Sequence, residues 1–238
     1  MKEIPVLVLL PGLDGTGDLF APFTEVLPEN IDSKVLSYQS DGPADYPGLA
    51  SALFSRLPDK PFVLIGESFG GPLALYIARL APENLVAIVM CGSFVLSPQP
   101  GIRKGRLFER LLRLLYHIAP MKAVVRNLLL DRVVSKNRVD ATLRAINRAG
   151  PDVLLKRMHS IISLDARDMM RTCHAPLLII SGNKDKLVGD AATSIIKECR
   201  PDAVYAKIDA PHGMLQTHPG QVWDIIDRFL HNPDISQA

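Results

Sequence analysis

The sequence predicts an α/β fold in which buried, mostly parallel strands alternate with helices. Strands that are covered on both faces read as unbroken apolar stretches, and such stretches recur along this chain. They lie at residues 4–10, 62–65, 85–90 and 176–181, and residues 204–208 are predicted as the last strand. Segments with apolar residues at helical spacing separate them. A chain of 238 residues is long enough to bury the core of one large domain of this class.

The segment around Ser68 combines a Gly-X-Ser-X-Gly motif with a change from strand to helix. The strand pattern ends at Gly66, and apolar residues recur at helical spacing from Leu73 onward. The chain therefore has to turn within about one residue, and glycine at 66 and 70 lets the two backbones pass close together. We expect the Ser68 hydroxyl at the tip of the turn, above a helix N-terminus that favours an oxyanion.

In this context the motif resembles the nucleophile elbow of the α/β-hydrolase superfamily, in which the serine is the nucleophile. A glycine-rich turn without a catalytic role is the alternative reading of the motif. The resemblance implies a serine esterase-like or lipase-like protein with helices on both faces of the sheet. The first two family strands have no counterpart before residue 4, so a trimmed sheet of about six strands is expected. Residues 35–38 would form its edge strand.

The resemblance also implies a single α/β-hydrolase domain, residues 1–238, with a helical cap inserted over the active site. Strand patterns are missing between about 97 and 172, where this superfamily carries its cap. Helical patterns replace them, with Pro120 and Gly150 at two of the boundaries. The predicted helices are 102–119, 121–130, 137–149 and 151–164.

By the same resemblance, Ser68, Asp185 and His212 would form a catalytic triad. Residues 182–188 match the family pattern Gly-x-x-Asp-x-Leu/Val-Val at the end of a strand, with Asp185 as the acid. An ordinary loop aspartate is the alternative. Six histidines are present, and only His212 directly follows the last predicted strand, where the family keeps its base.

Two nearby residues receive structural roles instead. Asp190 suits the N-cap of a helix over 191–199, because a carboxylate there can accept the first free N–H groups. His218 precedes Pro219 and the last predicted helix, 221–230, where it would cap the helix or face solvent.

The loop at residues 11–17, Pro-Gly-Leu-Asp-Gly-Thr-Gly, follows the first predicted strand. In the family this loop supplies half of the oxyanion hole. The resemblance assigns that role to the N–H of Leu13, and the second N–H to Phe69. A phosphate-binding loop is the alternative, but the Gly-Lys-Ser/Thr ending is missing and the carboxylates of Asp14 and Asp18 would repel phosphate.

Positive charge is concentrated in the predicted cap. Residues 101–172 hold 16 Lys or Arg against 6 Asp or Glu, although the formal net charge of the chain is only +2. On the predicted helix 102–119, four arginines share one stripe: Arg103, Arg106, Arg110 and Arg113. This pattern fits a core-facing helix with a solvated basic face. It also fits a patch that recruits an anionic membrane surface or an acidic acyl-carrier protein.

Other features of the sequence narrow the class of protein. The three cysteines are widely spaced and indicate neither a disulfide framework nor a zinc site. No leader or membrane span is recognisable, so a cytoplasmic protein is expected. Aromatic residues are not interleaved with the basic ones, so nucleic acid is not expected as a partner. No metal or organic cofactor is implied.

Together these features predict a serine hydrolase that cleaves carboxylic esters with an apolar acyl group through an acyl-enzyme intermediate. Its substrate would be a small-molecule ester. An acyltransferase, or a hydrolase of acyl-carrier thioesters, would use the same triad and is the first alternative. A non-catalytic small-molecule binding protein is the second. Hydrolase-fold enzymes with an aspartate nucleophile are disfavoured, because the elbow residue is serine.

Overall fold

A computed structural model describes residues 5–98, 121–130 and 134–232 of the protein. Its sheet consists of β1 (Val6–Leu10), β2 (Ser33–Val35), β3 (Phe62–Glu67), β4 (Leu85–Cys91), β5 (Leu177–Gly182) and β6 (Val204–Ile208). The strand order is β2-β1-β3-β4-β5-β6, and every neighbouring pair is parallel. The predicted parallel α/β sheet of six strands is confirmed.

Helices connect the strands. They are α1 (Ala21–Thr24), α2 (Tyr46–Phe54), α3 (Gly70–Arg79), α4 (Met121–Val124), α5 (Lys136–Ala149), α6 (Pro151–Ile162), α7 (Arg167–Thr172), α8 (Gly189–Cys199), α9 (Met214–Thr217) and α10 (Pro219–Leu230). A 3₁₀ turn at Asp18–Phe20 precedes α1, and a π-helical turn at Val125–Leu129 follows α4.

Helices cover both faces of the sheet, because side chains alternate between the faces along each strand. On one face, Val8, Leu64 and Ile88 pack with buried side chains of α2, α3 and α8. On the other face, Leu9 and Val89 belong to a second cluster with buried side chains of α9 and α10. The interior strands β1, β3, β4 and β5 are thus buried on both sides, as their apolar runs predict.

The edge strand β2 differs from its prediction. Residues 35–38 were expected to pair, but the strand consists of Ser33–Val35. Leu36 still donates its N–H to the Leu9 carbonyl at 3.0 Å, and then the chain leaves the sheet. Tyr38 instead bonds to the loop that follows β1, donating its N–H to the Gly15 carbonyl at 2.8 Å and its hydroxyl to the Pro11 carbonyl at 2.7 Å.

We call residues 97–172, between β4 and β5, the helical insertion. In its described part, α4 with the π-helical turn, α5 and α6 correspond to the helices predicted at 121–130, 137–149 and 151–164. Helix α7 was not predicted. The predicted helix 102–119, with its four arginines, lies outside the described residues. The assignment of 97–172 as a cap within a single domain stays a prediction. Within the ranges that the structure covers, no helix is long and apolar enough to span a membrane.

Gly182 provides a test of how closely the last two strands approach at their carboxyl ends. A Cβ at this position would lie 2.2 Å from the Ala210 carbonyl oxygen, so the backbone after β5 or β6 would have to shift. We expect Gly182→Ala to lower the free energy of unfolding by about 1–3 kcal/mol, as overpacking does. Urea unfolding of the purified variant measures this change.

Gly220 is the matched control, because a Cβ there meets nothing within 4 Å. It lies in α10, where alanine is favoured over glycine, so Gly220→Ala should leave the stability unchanged or raise it by up to about 1 kcal/mol. Equal stabilities for the two variants would contradict the close approach at Gly182.

Candidate active site

The turn from β3 into α3 is as sharp as the sequence predicts. A Cβ on Gly66 would lie 2.3 Å from the Gly70 carbonyl oxygen, and one on Gly70 would lie 2.2 Å from the Leu10 carbonyl oxygen. The expectation that neither position has room for a side chain is therefore confirmed. Between them Ser68 has a φ of 51°, a left-handed conformation that non-glycine residues seldom adopt.

Neighbouring strands hold the Ser68 backbone in this conformation. Ser68 donates its N–H to the Cys91 carbonyl at 2.9 Å. Its own carbonyl accepts hydrogen bonds from the Gly71 N–H at 3.1 Å and the Ser93 hydroxyl at 2.7 Å. Both polar groups of the Ser68 backbone are thus bonded, which leaves its half-buried side chain at the carboxyl edge of the sheet.

The structure brings the Ser68, His212 and Asp185 side chains together from three different loops. The Nε2 atom of His212 lies 2.9 Å from Ser68 Oγ, and its Nδ1 atom lies 2.8 Å from Asp185 Oδ2. The His212 and Asp185 side chains are only 6% and 3% exposed. A continuous hydrogen-bonded path therefore runs from a buried carboxylate to the serine hydroxyl.

The Asp185 carboxylate is suited to remain ionised. Burial alone would raise its pKa, but the hydrogen bond and charge of His212 and the N–H groups of Val188 and Leu187 hold that pKa below its ordinary value. Asp185 Oδ1 accepts these N–H groups at 3.0 and 2.8 Å. The free Oδ2 then remains for the imidazole.

These bonds also explain why the N-cap prediction for Asp190 is wrong. Helix α8 begins at Gly189, so Asp190 lies inside its first turn, and Val188 occupies the N-cap position without a side-chain bond. The Asp190 carboxylate instead accepts a hydrogen bond from Lys207 Nζ at 2.7 Å. The N–H groups that precede the helix are bonded by Asp185.

The loop after β1 lies beside the serine. A Cβ on Gly12 would stand 3.9 Å from Ser68 Cβ, so the next residue, Leu13, is close to the turn. Among the residues described, neither Leu13 nor Phe69 donates its backbone N–H to another group. The Phe69 ring points away into the core, where it stacks on Tyr46 at 4.6 Å between ring centroids.

Glu67, next to the serine, is a buried carboxyl group that sequence reasoning did not single out. It is 7% exposed. Burial raises the pKa of Glu67 to about 7, although the Gln216 side chain and the His212 charge lower it. Asp14, which is also buried and bonds to the N–H of Thr16, raises it further. Glu67 is thus protonated in part near neutral pH.

Arg157 on α6 is a second buried polar residue that the sequence did not reveal. Its Nη1 donates to the carbonyls of Leu13 and Asp14, on the loop after β1. As one of many basic residues in the helical insertion, it shows no local pattern that would distinguish it.

His218 and His231 make their hydrogen bonds outside this path. His218 occupies the N-cap position of α10 without a side-chain cap, and its Nδ1 lies 2.9 Å from Thr217 Oγ1. His231 bonds to the Asp227 carbonyl in its own helix. Across the described part of the chain, no three His, Cys, Asp or Glu side chains are grouped as a metal site, and the three cysteines are free thiols.

A parallel sheet with a serine at a left-handed strand-to-helix turn, and with helices on both faces, defines a protein of the α/β-hydrolase superfamily. Residues 40–226 match the family model described as serine aminopeptidase, S33, so the chain belongs to that family.

Similar proteins include hydrolases of several kinds. The chain is 27% identical over 219 residues to a protein assigned as the carbamate hydrolase RutD of Pseudomonas savastanoi pv. phaseolicola, covering 84% of this chain and 83% of that one. It is 27% identical to the pimeloyl-[acyl-carrier protein] methyl ester esterase of Aromatoleum aromaticum, over 90% of this chain and 94% of that one. With the family match, these relatives make the protein a hydrolase.

The fold is shared with solved structures of much lower sequence identity. A lipase-esterase related protein from Clostridium acetobutylicum ATCC 824 superposes with a TM-score of 0.79 at 15% identity. The match covers 96% of this chain and 95% of that one.

The raised pKa of Glu67 predicts a pH-dependent stability. Between pH 4.5 and about 7 the folded protein binds a proton that the unfolded chain does not, so stability falls as the pH rises through this window. Glu67→Gln removes this dependence. Relative to wild type, its free energy of unfolding should rise by up to about 3 kcal/mol between pH 5 and pH 8, at about 1.4 kcal/mol per pH unit.

Urea unfolding of both proteins at the two pH values measures the difference. Glu83→Gln, at an exposed position, is the matched control and should differ from wild type by a constant amount. A constant difference for Glu67→Gln as well would show that Glu67 does not titrate in this window.

Proposed function

We propose that the protein is a serine hydrolase that cleaves carboxylic esters with an apolar acyl group. The observation that carries the proposal is the path from Asp185 through His212 to Ser68, with distances of 2.8 and 2.9 Å. A serine hydroxyl in water is a weak nucleophile, and an imidazole within hydrogen-bond distance, itself oriented by a buried carboxylate, is the arrangement that activates it.

In the proposed mechanism, Ser68 Oγ attacks the ester carbonyl carbon while His212 Nε2 takes its proton. Asp185 holds the imidazole in the tautomer with Nδ1 protonated and stabilises the imidazolium that forms. The N–H groups of Leu13 and Phe69 bind the oxyanion. His212 then protonates the leaving alcohol. In the second half-reaction His212 takes a proton from water, the water oxygen attacks the acyl carbonyl carbon, and His212 returns the proton to Ser68 Oγ as the carboxylic acid leaves.

Apolar side chains in the helical insertion are the reason for proposing an apolar acyl group. The π-helical turn ends beside the loop that carries His212, where the Leu129 carbonyl accepts the Gly213 N–H at 2.7 Å. Val125, Leu130 and Val139 form a buried apolar cluster at this end of the insertion. Apolar side chains held against a catalytic loop favour an aliphatic rather than a charged acyl chain.

An acyl-carrier protein is the partner that we favour for the basic region 101–172. The esterase relative from Aromatoleum aromaticum acts, by its name, on an ester of an acyl-carrier protein. An excess of ten positive charges within this region would attract such an acidic partner.

Variants of the three residues test the mechanism on p-nitrophenyl esters of graded chain length. Ser68→Ala and His212→Ala should each lower kcat by about 10⁴-fold or more, because members of a triad act as a unit. Asp185→Asn should cost about 10⁴-fold, since the imidazole would lose its tautomer. Initial rates, together with labelling by a fluorophosphonate probe, measure these effects.

His218→Ala and Asp209→Asn are the matched controls. The Asp209 carboxylate is exposed and pairs with Lys184 at 2.8 Å, so both controls should retain activity near that of wild type. If His218→Ala loses activity while His212→Ala keeps it, the base is His218. If Asp209→Asn loses activity while Asp185→Asn keeps it, the acid is Asp209. A wild-type protein without esterase activity or probe labelling would exclude the proposal, and transfer of the acyl group to an added alcohol would indicate an acyltransferase.

Salt dependence tests the proposed carrier partner. The Debye length falls from about 10 Å at 0.1 M salt to 3 Å at 1 M, so steering by the basic region should weaken over this range. We expect kcat/KM on an acyl-carrier ester to drop steeply, while the rate on a neutral p-nitrophenyl ester stays nearly flat. Replacement of Arg103, Arg106, Arg110 and Arg113 by glutamine should reproduce the drop at low salt.

A control variant with the same change in charge replaces four exposed lysines elsewhere, Lys34, Lys60, Lys197 and Lys207, by glutamine. It should keep the carrier activity. Equal salt responses for both substrates would show that the basic residues only face solvent and do not recruit an anionic partner. A steep response with anionic vesicles but not with a carrier ester would identify a membrane surface instead.

A further inference from the structure

Arg157 is the largest fully buried side chain in the described protein, with 1% of its surface exposed. It projects from α6 in the helical insertion to the loop after β1. Its Nη1 atom donates to the Leu13 carbonyl at 3.0 Å and to the Asp14 carbonyl at 2.6 Å. One guanidinium group thus joins the insertion to the loop that borders Ser68.

This burial is costly for a charged group, which indicates a fixed position rather than a loose contact. Burial lowers the pKa of Arg157, although the charge of Asp14 acts in the opposite direction. The Tyr38 ring stands 5.1 Å from the guanidinium carbon and provides a cation–π contact. The two loop carbonyls, this ring and the negative charge of the buried Asp14 compensate part of the cost.

The geometry of the loop shows which atoms Arg157 restrains. The Gly15 N–H donates to the Gly12 carbonyl at 3.1 Å and orients the peptide group that contains the Leu13 N–H. Arg157 bonds to the carbonyls of the next two peptide groups. Tyr38 holds the loop on either side, at the Pro11 and Gly15 carbonyls. Among the described residues, the side chain that bonds to the Leu13 and Asp14 carbonyls is Arg157, and it comes from the helical insertion.

We propose that Arg157 is a positioning residue that holds the Leu13 N–H in the direction of the oxyanion. The inference rests on the proposed function, because it assumes that Leu13 is an oxyanion donor. Arg157 touches neither Ser68 nor His212 and acts only through the loop. The helical insertion then contributes to catalysis as well as to substrate binding.

A donor that acts on the oxyanion affects the transition state more than the bound ester. Removal of one oxyanion donor costs about 10²–10³-fold in kcat, and a displacement of about 1 Å can cost about 10²-fold. Without the hydrogen bonds from Arg157, the Leu13 N–H should still be present but should no longer point at the oxyanion. The expected effect is a fall of about 10- to 100-fold in kcat with KM changed by less than about threefold.

The experiment compares Arg157→Met, Arg157→Lys and Arg148→Met on a p-nitrophenyl ester that the wild type cleaves. Arg148 is the matched control, because it also joins the insertion to the segment after this loop, through a 2.7 Å ion pair with Asp18 in which both side chains are largely exposed. Lysine at 157 can donate to one carbonyl but lacks the planar fork, so it should restore part of the rate.

A trifluoromethyl ketone with the same alkyl chain as the ester's acyl group distinguishes a misplaced oxyanion donor from a general loss of structure. Its carbonyl carbon accepts Ser68 Oγ, and its oxygen becomes an oxyanion like that of the transition state. The affinity of Arg157→Met for this ketone should fall in parallel with kcat, while its affinity for the alcohol with the same chain stays within about threefold. The pH midpoint of kcat should not move, because His212 and Asp185 keep their bonds.

Two results would overturn the inference. One is a kcat for Arg157→Met within about threefold of wild type, and the other is a loss of affinity that is equal for the ketone and the alcohol. If Arg157→Met does not fold, Arg157→Lys carries the same comparison. Failure of the proposed function is distinguishable, because the wild type itself would then neither cleave the ester nor bind the ketone.

Discussion

Ser68 adopts a left-handed backbone conformation between a buried strand and a buried helix, and the site is built around it. Such a conformation costs on the order of 1 kcal/mol for a residue with a side chain, so the surroundings have to hold it. The Cys91 carbonyl and the Ser93 hydroxyl do so from the neighbouring strand end. The contacts at Gly66 and Gly70 leave no space for the turn to relax. The serine is therefore positioned by the central strands of the sheet rather than by a flexible loop.

The polar groups behind the serine carry charge in a poorly solvated environment. Asp185 keeps a lowered pKa because His212 and two N–H groups compensate its burial. Burial raises the pKa of Glu67, because the Gln216 side chain and the His212 charge offset it only in part. The difference between two buried carboxyl groups in one site follows from the number of donors that each one meets. An ionised Asp185 favours a positively charged imidazole, which is the state that the proposed mechanism requires of His212.

Local sequence patterns were sufficient for the interior strands and for the turn at Ser68, because burial on both faces and backbone crowding act on neighbouring residues. They misplaced the edge strand β2, which consists of residues 33–35 rather than 35–38. The order of Ser68, Asp185 and His212 along the chain was also informative, and the structure places their side chains within hydrogen-bond distance. The sequence did not predict the Arg157 contact, since 143 residues separate it from Asp14 and many basic residues compete for that role. The N-cap prediction at Asp190 failed for a related reason. A carboxylate five residues earlier already bonds to the free N–H groups, and only the folded loop reveals it.

The two outer strands of the sheet have a consequence for how the protein behaves at high concentration. A parallel sheet that is covered on both faces can still recruit another chain along its open edges. Here β2 has only three residues, with Ser33 and Lys34 exposed, and Lys34 reaches across to the Arg56 carbonyl. On the opposite edge, β6 carries Lys207, which is paired with Asp190. A short strand on one side and a lysine on each disfavour edge-to-edge aggregation, which protects a fold whose interior strands are almost entirely apolar.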